Sequence, residues 1–255
     1  MDGNYQEYIN RVVQMTMPAN YKQQLANIQP SPKFNNGVAV EFPGYSIITP
    51  PWKDDEFNDE FYQHLEEVQK QLKDSLPEGL FLTVPPESFH LTLADLIWDK
   101  DYISATKEKE NFDRLLITEI GKIFEEYQKL HQPDSLELEL LGISIFPRAI
   151  AVCLAPTENS YNYIIELRKM IYQNEQIIRL GIEQQYEFAA HITLGYFGKS
   201  GKDLNIEEVE KKIVKINDEL AEKRLPPFRL KQWELRKFTD MTNYIREKDW
   251  ATIRL

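Results

Sequence analysis

The sequence has very little cysteine: Cys153 is the single one among 255 residues. One cysteine cannot form an internal disulfide, which favours a reducing compartment. Cys153 also lies inside the apolar run "AIAVCLAP", where a buried, unreactive thiol is expected rather than a nucleophile. The sequence therefore predicts a cytoplasmic protein whose chemistry does not use a thiol.

Long apolar runs, metal-ligand spacings and glycine-rich loops are also missing. No apolar run approaches the ~18 residues that a membrane-spanning helix needs, and the polar N-terminus "MDGNYQEYIN" is unlike a secretory signal. No two histidines have the His-x-His or His-x-x-x-His spacing of a metal site. The ten glycines form no Walker or dinucleotide-binding loop. These absences predict no membrane association, no metal and no cofactor.

Basic residues are outnumbered by acidic ones. The chain has 41 Asp and Glu against 30 Lys and Arg, which gives a net charge of −11 at pH 7. A surface of this sign repels polyanions, so long nucleic acid is not expected as a partner. A local pocket can still be positive on an acidic protein, so a small phosphorylated ligand or a short oligonucleotide fits the composition.

The chain divides into a short arm and one large domain. Helical patterns around 5–15 and 19–27 end at "IQPSPKFNNG", so residues 1–36 are predicted to form a helical arm and linker. Residues 37–255 are predicted to form a single domain that begins with the strand pair "GVAVEF" and "YSIITP". Strands and helices then follow in much the same order twice. This order predicts an α+β fold of two similar lobes, one from each half of a monomeric chain.

Two short phrases repeat a histidine and a threonine a hundred residues apart. They are "SFHLTLADL" at 88–96 and "AAHITLGYF" at 189–197, which use two of the four histidines. Side chains alternate between the faces of a strand, so His90 and Thr92 are predicted to share one face, about 6.6 Å apart. His191 and Thr193 should do the same. If the lobes are related by an approximate two-fold axis, both pairs face one groove.

This set of groups suits hydrolysis at phosphorus. A neutral imidazole can take a proton from water while a protonated imidazole gives one to the leaving oxygen. The threonine hydroxyls can donate hydrogen bonds to the phosphate oxygens on which charge accumulates. The pattern therefore indicates acid–base catalysis that requires no metal.

The two phrases and their surroundings resemble the two-histidine (2H) phosphoesterases, which carry two His-x-Thr/Ser strands in a bilobed α+β fold. "VPPESFHLTLADL" is similar to the family's first motif and "YEFAAHITLGYF" to its second. "LLGISIFPRAIAVCLAP" resembles its middle hairpin, and "WELRKFTDMTNYIREKDWATIRL" resembles its C-terminal pair of strands. The resemblance covers about residues 37–255, and "KFNNGVAVEFPGYSIITPP" is similar to one bacterial branch. "LADL" departs from the pattern, because it lacks the glycine that often follows the first motif.

The resemblance implies two pseudo-two-fold-related lobes of antiparallel sheet, with helices outside and a central groove. It implies that His90 and His191 are the catalytic acid and base, in an order that stays open, and that Thr92 and Thr193 assist them. The family acts on 2′,3′-cyclic nucleotides, on RNA ends that carry such phosphates, and on 2′,5′-linked oligonucleotides. Two other interpretations remain: a nucleotide-binding sensor of the same fold with negligible turnover, and a scaffold in which both phrases are core strands.

Four further residues are candidates for substrate binding. Tyr196 follows the second phrase and Tyr45 begins an early strand, and either ring could stack on a nucleobase. Arg148 and Lys33 lie in a turn and in the linker, from which a cation could reach a phosphate.

Overall fold

The computed structural model describes residues 2–131 and 136–255, and these form eight α-helices and twelve β-strands. The helices are α1 (Tyr5–Thr16), α2 (Pro18–Ala26), α3 (Asp59–Ser75), α4 (Asp99–Glu108), α5 (Phe112–Leu130), α6 (Glu158–Tyr172), α7 (Glu175–Arg179) and α8 (Ile206–Glu222). The strands are β1 (Phe34–Asn35), β2 (Val38–Ala39), β3 (Gly44–Ile48), β4 (Phe81–Thr83), β5 (Thr92–Trp98), β6 (Leu136–Ile145), β7 (Ala149–Pro156), β8 (His191–Phe197), β9 (Phe228–Leu230), β10 (Gln232–Asp240), β11 (Asn243–Ile245) and β12 (Thr252–Arg254).

Two antiparallel sheets form the two lobes. The first lobe has the strand order β11-β10-β3-β5, with β12 paired to β10, and the second lobe has the order β4-β8-β7-β6-β9. Helices α4 and α5 pack on the first lobe, whereas α1, α2, α3 and α8 pack on or beside the second, and α6 contacts strands of both. Each lobe therefore contains one of the two histidine phrases, β5 in the first and β8 in the second.

The lobes do not correspond to the two halves of the chain, and this part of the sequence interpretation was wrong. Strand β4 comes from the first half but pairs with β8 in the second lobe, while β10 comes from the end of the chain and pairs with β3 in the first lobe. The order of elements along the chain does not determine such long-range pairings, because strands also pair by side-chain complementarity and register.

The predicted strand pair near the start of the domain is also wrong. Val38–Ala39 pairs with Phe34–Asn35 in a small hairpin, and β3 lies between β5 and β10 instead. All five residues of β3 are buried. A strand covered on both faces belongs in the middle of a sheet rather than in an edge hairpin.

The N-terminal arm packs against the second lobe. Helix α1 begins with a capping box in which the Asn4 side chain accepts a hydrogen bond from the Glu7 backbone and Glu7 accepts one from Asn4. Tyr8 and Val12 on its apolar face are 1% and 0% exposed, and α1 contacts β6 and β7. The Tyr8 hydroxyl donates to the Leu154 carbonyl at 2.8 Å and accepts from the Ala190 amide at 3.3 Å. The arm therefore supports the chain just before His191.

One buried ion pair ties the start of the chain to both lobes. Arg168 on α6 binds the Asp2 carboxylate at 2.9 Å, and the two side chains are 1% and 2% exposed. The same guanidinium donates to the carbonyls of Leu93 in β5 and Tyr186 before β8. Within residues 2–131 and 136–255, no helix is both long enough and apolar enough to cross a membrane.

Candidate active site

The two histidine phrases meet where the two lobes join. Leu91 and Ile192 form an isolated antiparallel bridge, and both side chains are fully buried. Residues directly opposite each other in an antiparallel pair point to the same face, and their neighbours along each strand point to the other. His90, Thr92, His191 and Thr193 therefore share the face that turns away from the core.

The bridge sets the mutual positions of these four side chains. In antiparallel register His90 lies opposite Thr193, and Thr92 lies opposite His191. The two histidines are then diagonal neighbours on adjacent strands. In a regular ladder the Cα atoms of such neighbours lie about 7–8 Å apart. A local two-fold axis passes through the bridge, because the same imidazole-and-hydroxyl pair occurs on either side of it.

Both imidazoles are held in the same way. Nδ1 of His90 lies 2.7 Å from the Ser88 carbonyl oxygen, and Nδ1 of His191 lies 2.7 Å from the Ala189 carbonyl oxygen. A carbonyl oxygen only accepts hydrogen bonds, so each Nδ1 carries the proton and donates it. The nitrogen that gains or loses a proton is therefore Nε2 in both rings, as a matched acid–base pair requires.

The surroundings of the two rings favour their neutral forms. Burial lowers the pKa of His90 to about 4 and also lowers the pKa of His191. The carbonyl hydrogen bonds and the negative charge of Asp95 act in the opposite direction on both rings. The nearby aromatic rings contribute to the burial: Tyr244 lies 4.4 Å from His90 and Phe146 lies 4.7 Å from His191, centroid to centroid.

All four side chains line one cleft of about 820 Å³ between the lobes. Three cations and seven aromatic residues also line it. The cations are Arg11, Lys33 and Arg148, and the aromatic residues are Phe42, Trp98, Phe146, Tyr186, Tyr196, Phe238 and Tyr244. A cleft of this size holds a nucleotide-sized ligand.

Three of the four predicted binding residues lie at this cleft. Lys33 is half-buried, with Nζ 3.4 Å from the Tyr196 hydroxyl and 5.1 Å from the centre of the Phe42 ring. Tyr196, near the end of β8, is partly exposed to the cleft. Arg148 is exposed on the turn between β6 and β7. These residues place two cations and an aromatic ring near the histidines.

The fourth, Tyr45, does not lie at the cleft, and its predicted stacking role is corrected. Its ring is 1% exposed and packs against Tyr102 and Trp250, with the Lys237 ammonium above it. The reason is side-chain alternation along β3: Ser46 faces the cleft, so its neighbour Tyr45 faces the core.

Asp95 lines the cleft and was missed by the sequence analysis. Regular alternation from Thr92 would place Ala94 and Leu96 on the cleft face. Two irregularities in the pairing of β5 with β3 leave Leu93 and Leu96 without a partner, which moves the cleft face to Thr92, Asp95 and Trp98. A carboxylate in an otherwise apolar strand was the available signal, but the bulges themselves leave no mark in the local sequence.

Among the side chains of the described ranges, no three His, Cys, Asp or Glu residues come together in an arrangement that could hold a metal ion. Cys153 is fully buried, and burial raises its pKa to about 12. The thiol is therefore protonated and far from the solvent.

No protein-family model and no curated protein sequence matches the chain. A solved structure of a conserved protein of unknown function from Agrobacterium tumefaciens aligns with 88% of this chain and 95% of its own, at a TM-score of 0.57 and 13% identity. E. coli LigT complexed with 3′-AMP aligns with 85% of this chain and 99% of its own, at a TM-score of 0.40 and 16% identity. Kluyveromyces marxianus Usb1 with uridine monophosphate aligns with 84% of this chain and 97% of its own, at a TM-score of 0.42 and 13% identity.

The predicted α+β fold of antiparallel sheets with helices packed outside is confirmed. The likeness to the Agrobacterium tumefaciens structure, at 13% identity, shows a shared fold alone.

Proposed function

We propose that this chain is a metal-independent phosphodiesterase. Its substrate is a small cyclic phosphate of the 2′,3′-cyclic nucleotide type, or a short 2′-phosphorylated or 2′,5′-linked oligonucleotide. The observation that carries the proposal is the Leu91–Ile192 bridge, because it puts two imidazoles and two hydroxyls on one face of one cleft. Each imidazole presents Nε2 as its free nitrogen, since Nδ1 is used by a backbone carbonyl.

The arrangement supports in-line displacement at phosphorus. Nε2 of one neutral imidazole takes a proton from a water molecule as the water oxygen bonds to phosphorus. The bond from phosphorus to the leaving oxygen then breaks, and the second imidazole, protonated on Nε2, gives that oxygen its proton. Thr92 and Thr193 donate hydrogen bonds to the non-bridging oxygens. One imidazole gains a proton from water and the other loses one to the leaving oxygen, so the two rings exchange protonation states.

The charges of the cleft suit a small anion rather than a polyanion. Arg11, Lys33 and Arg148 line it together with two carboxylates, Asp95 and Glu187. Three positive against two negative groups leave a small positive excess within a chain whose net charge is −11. A single phosphate is attracted locally, whereas a long nucleic acid would meet the acidic surface around the cleft.

A second candidate function is nucleotide binding without turnover. It is favoured by one observation: burial lowers the pKa of both histidines, so the surroundings of both imidazoles favour the neutral form, which is not a general acid. In an enzyme, the negative charge of the bound substrate must favour protonation of one imidazole, which then acts as the general acid. In a sensor, no proton is needed.

A substrate screen separates the two functions. The purified chain is incubated with 2′,3′-cyclic nucleotides, ADP-ribose cyclic phosphate and 2′,5′-oligoadenylate in the presence of EDTA, and products are followed by phosphorus NMR. We expect turnover of at least one substrate class that EDTA does not reduce. Turnover that appears only with added divalent metal would contradict the proposed mechanism. Binding of these ligands by calorimetry, with no product formed, would identify the sensor instead.

Replacing Lys33 with methionine is expected to weaken the binding of inorganic phosphate and of a nucleoside 2′-monophosphate roughly tenfold, because a charge-assisted hydrogen bond is lost. Isothermal titration calorimetry measures the effect. The matched control is Lys215→Met on α8, an exposed lysine 3.8 Å from Glu219, which should bind like the wild type. Equal affinity in the wild type and the Lys33 variant would remove Lys33 from the binding site.

A further inference from the structure

The peptide unit between Ala189 and Ala190 is hydrogen-bonded on both sides. Its carbonyl oxygen accepts the proton that Nδ1 of His191 donates, at 2.7 Å. Its N–H donates to the hydroxyl of Tyr8 on α1, at 3.3 Å. A peptide unit is planar, so a bond that fixes the direction of its N–H also fixes the direction of its carbonyl. The Tyr8 hydroxyl and the His191 ring are thus connected through one rigid group.

The Tyr8 hydroxyl is itself held in place. It donates its proton to the Leu154 carbonyl of β7 at 2.8 Å, while a lone pair accepts from the Ala190 amide. The side chain is buried, and its ring packs against Tyr161 and Phe188 at centroid distances of 4.8 and 5.9 Å. Burial also raises the pKa of Tyr8, so the hydroxyl keeps the proton that it donates.

Two further side chains of the N-terminal arm hold the same segment. The Phe188 amide donates to the Asp2 carboxylate at 2.5 Å, and the Phe188 carbonyl accepts from the Arg11 guanidinium at 2.7 Å. Residues 187–190 lie outside the helices and strands. The arm therefore supplies hydrogen-bond partners that regular secondary structure does not supply to this backbone.

The equivalent peptide unit beside His90 is held differently. Nδ1 of His90 donates to the Ser88 carbonyl, and the N–H of the same peptide unit, that of Phe89, donates to the Pro86 carbonyl at 2.9 Å. This second bond belongs to a local 3₁₀ turn, so it needs no distant residue. Both imidazoles are bonded to a backbone carbonyl, but the carbonyl at His191 is oriented by the arm.

We propose that Tyr8 is a positioning residue for His191: its hydroxyl orients the peptide unit whose carbonyl keeps a proton on Nδ1 and so leaves Nε2 free to exchange protons with the substrate. This inference rests on the phosphodiesterase function proposed above. Which ring nitrogen carries the proton is set by the hydrogen bond that the other nitrogen or its N–H makes. Tyr8 does not line the cleft, so it acts through His191 and not on the substrate.

The test uses Tyr8→Phe, which keeps the ring and removes the hydroxyl. Nitrogen NMR of isotope-labelled histidine rings distinguishes the Nδ1–H from the Nε2–H tautomer, and it is recorded without ligand at about pH 8, where the rings are neutral. Spectra of His90→Asn and His191→Asn assign the two cleft histidines. We expect the tautomer ratio of His191 to move toward Nε2–H by about threefold to tenfold, the effect of one hydrogen bond. The ratio of His90 should not change.

Steady-state turnover gives a second readout. Rates are expressed per folded molecule, with the folded fraction of each variant taken from urea denaturation. Tyr8→Phe should lower kcat about threefold to tenfold, because fewer molecules present Nε2 in its free form. KM should stay within about twofold of the wild type, because Tyr8 does not line the cleft.

Two controls on the same helix separate this effect from a general loosening of the arm. Tyr5→Phe removes a hydroxyl that donates to the Pro156 carbonyl of β7 at 3.1 Å, a bond of the same kind that does not involve the segment before His191. Val12→Ala removes part of a fully buried side chain and keeps the Tyr8 hydroxyl. Both should retain the wild-type tautomer ratios and, per folded molecule, kcat within about twofold.

The inference is overturned by an unchanged tautomer ratio of His191 in Tyr8→Phe, by equal changes at His90 and His191, or by the same change in Val12→Ala. Two measurements on the wild-type chain decide the matter if Tyr8→Phe does not fold. His191 should be the Nδ1–H tautomer, and the Ala190 amide should be protected from hydrogen exchange; failure of either overturns the inference. The NMR measurements need no substrate, so an inactive wild-type chain would defeat the proposed function while the tautomer ratio still shows whether Tyr8 positions His191.

Discussion

Replacing His90 or His191 with asparagine is expected to lower kcat/KM for the substrate found in the screen by at least ~10², because general acid–base catalysis contributes about that much or more. Asparagine is chosen over alanine for a structural reason. Its amide can donate to the Ser88 or Ala189 carbonyl in place of Nδ1, so the local hydrogen bond is kept while Nε2 is removed. The measurement is steady-state hydrolysis at the pH optimum of the wild type.

His64 provides a matched control for these variants. Its Nδ1 lies 2.7 Å from the Glu60 carbonyl oxygen, which is the same kind of bond as in the active pair. His64 belongs to α3 and does not line the cleft. His64→Asn should therefore keep wild-type activity, and a comparable loss there would show that the effect of the substitution is structural.

The double variant tests whether the two imidazoles act as one unit. If each ring supplies half of a coupled proton transfer, losing both costs about as much as losing one, because the remaining ring has no partner. We expect kcat/KM of the double variant to lie within about tenfold of that of the less active single variant. A single variant that retains more than about a third of wild-type kcat/KM would contradict the acid–base role.

The face shared by each histidine and threonine could be predicted from the sequence because it depends on a local rule. Side-chain alternation on a strand holds at His90 and Thr92 and again at His191 and Thr193. The buried partners Leu91 and Ile192, which sit between them, are also the residues that form the bridge. Their apolar character was visible in the sequence, but their direct pairing was not.

The remainder of the cleft depends on contacts that no local pattern encodes. The position of Asp95 follows from two irregularities in pairing with β3, a strand almost fifty residues earlier in the chain. Tyr45 was assigned to the wrong face for the same kind of reason, because the orientation of β3 is set by its two neighbours, β5 and β10. The register of central strands is a tertiary property.

Replacing Arg168 with methionine is expected to lower the free energy of unfolding by about 3–5 kcal/mol, because the Asp2 carboxylate is then left buried without its partner. Both side chains are almost fully buried, so water cannot solvate the orphaned charge. The measurement is urea denaturation, with the midpoint and the slope compared with those of the wild type. The matched control is Arg179→Met on α7, whose partner Glu175 is exposed, and it should change stability by less than about 0.5 kcal/mol.

A second substitution separates the ion pair from the other bonds of Arg168. Asp2→Asn combined with Arg168→Met removes both charges, so the double variant should be less destabilised than the two single variants together. If the effects simply add, the ion pair is not energetically coupled. The loss of stability would then come from the hydrogen bonds that Arg168 donates to backbone carbonyls. One of these is the carbonyl of Leu93, the residue that the irregularity of β5 leaves unpaired. Arg168 therefore holds the same distortion that turns Asp95 toward the cleft.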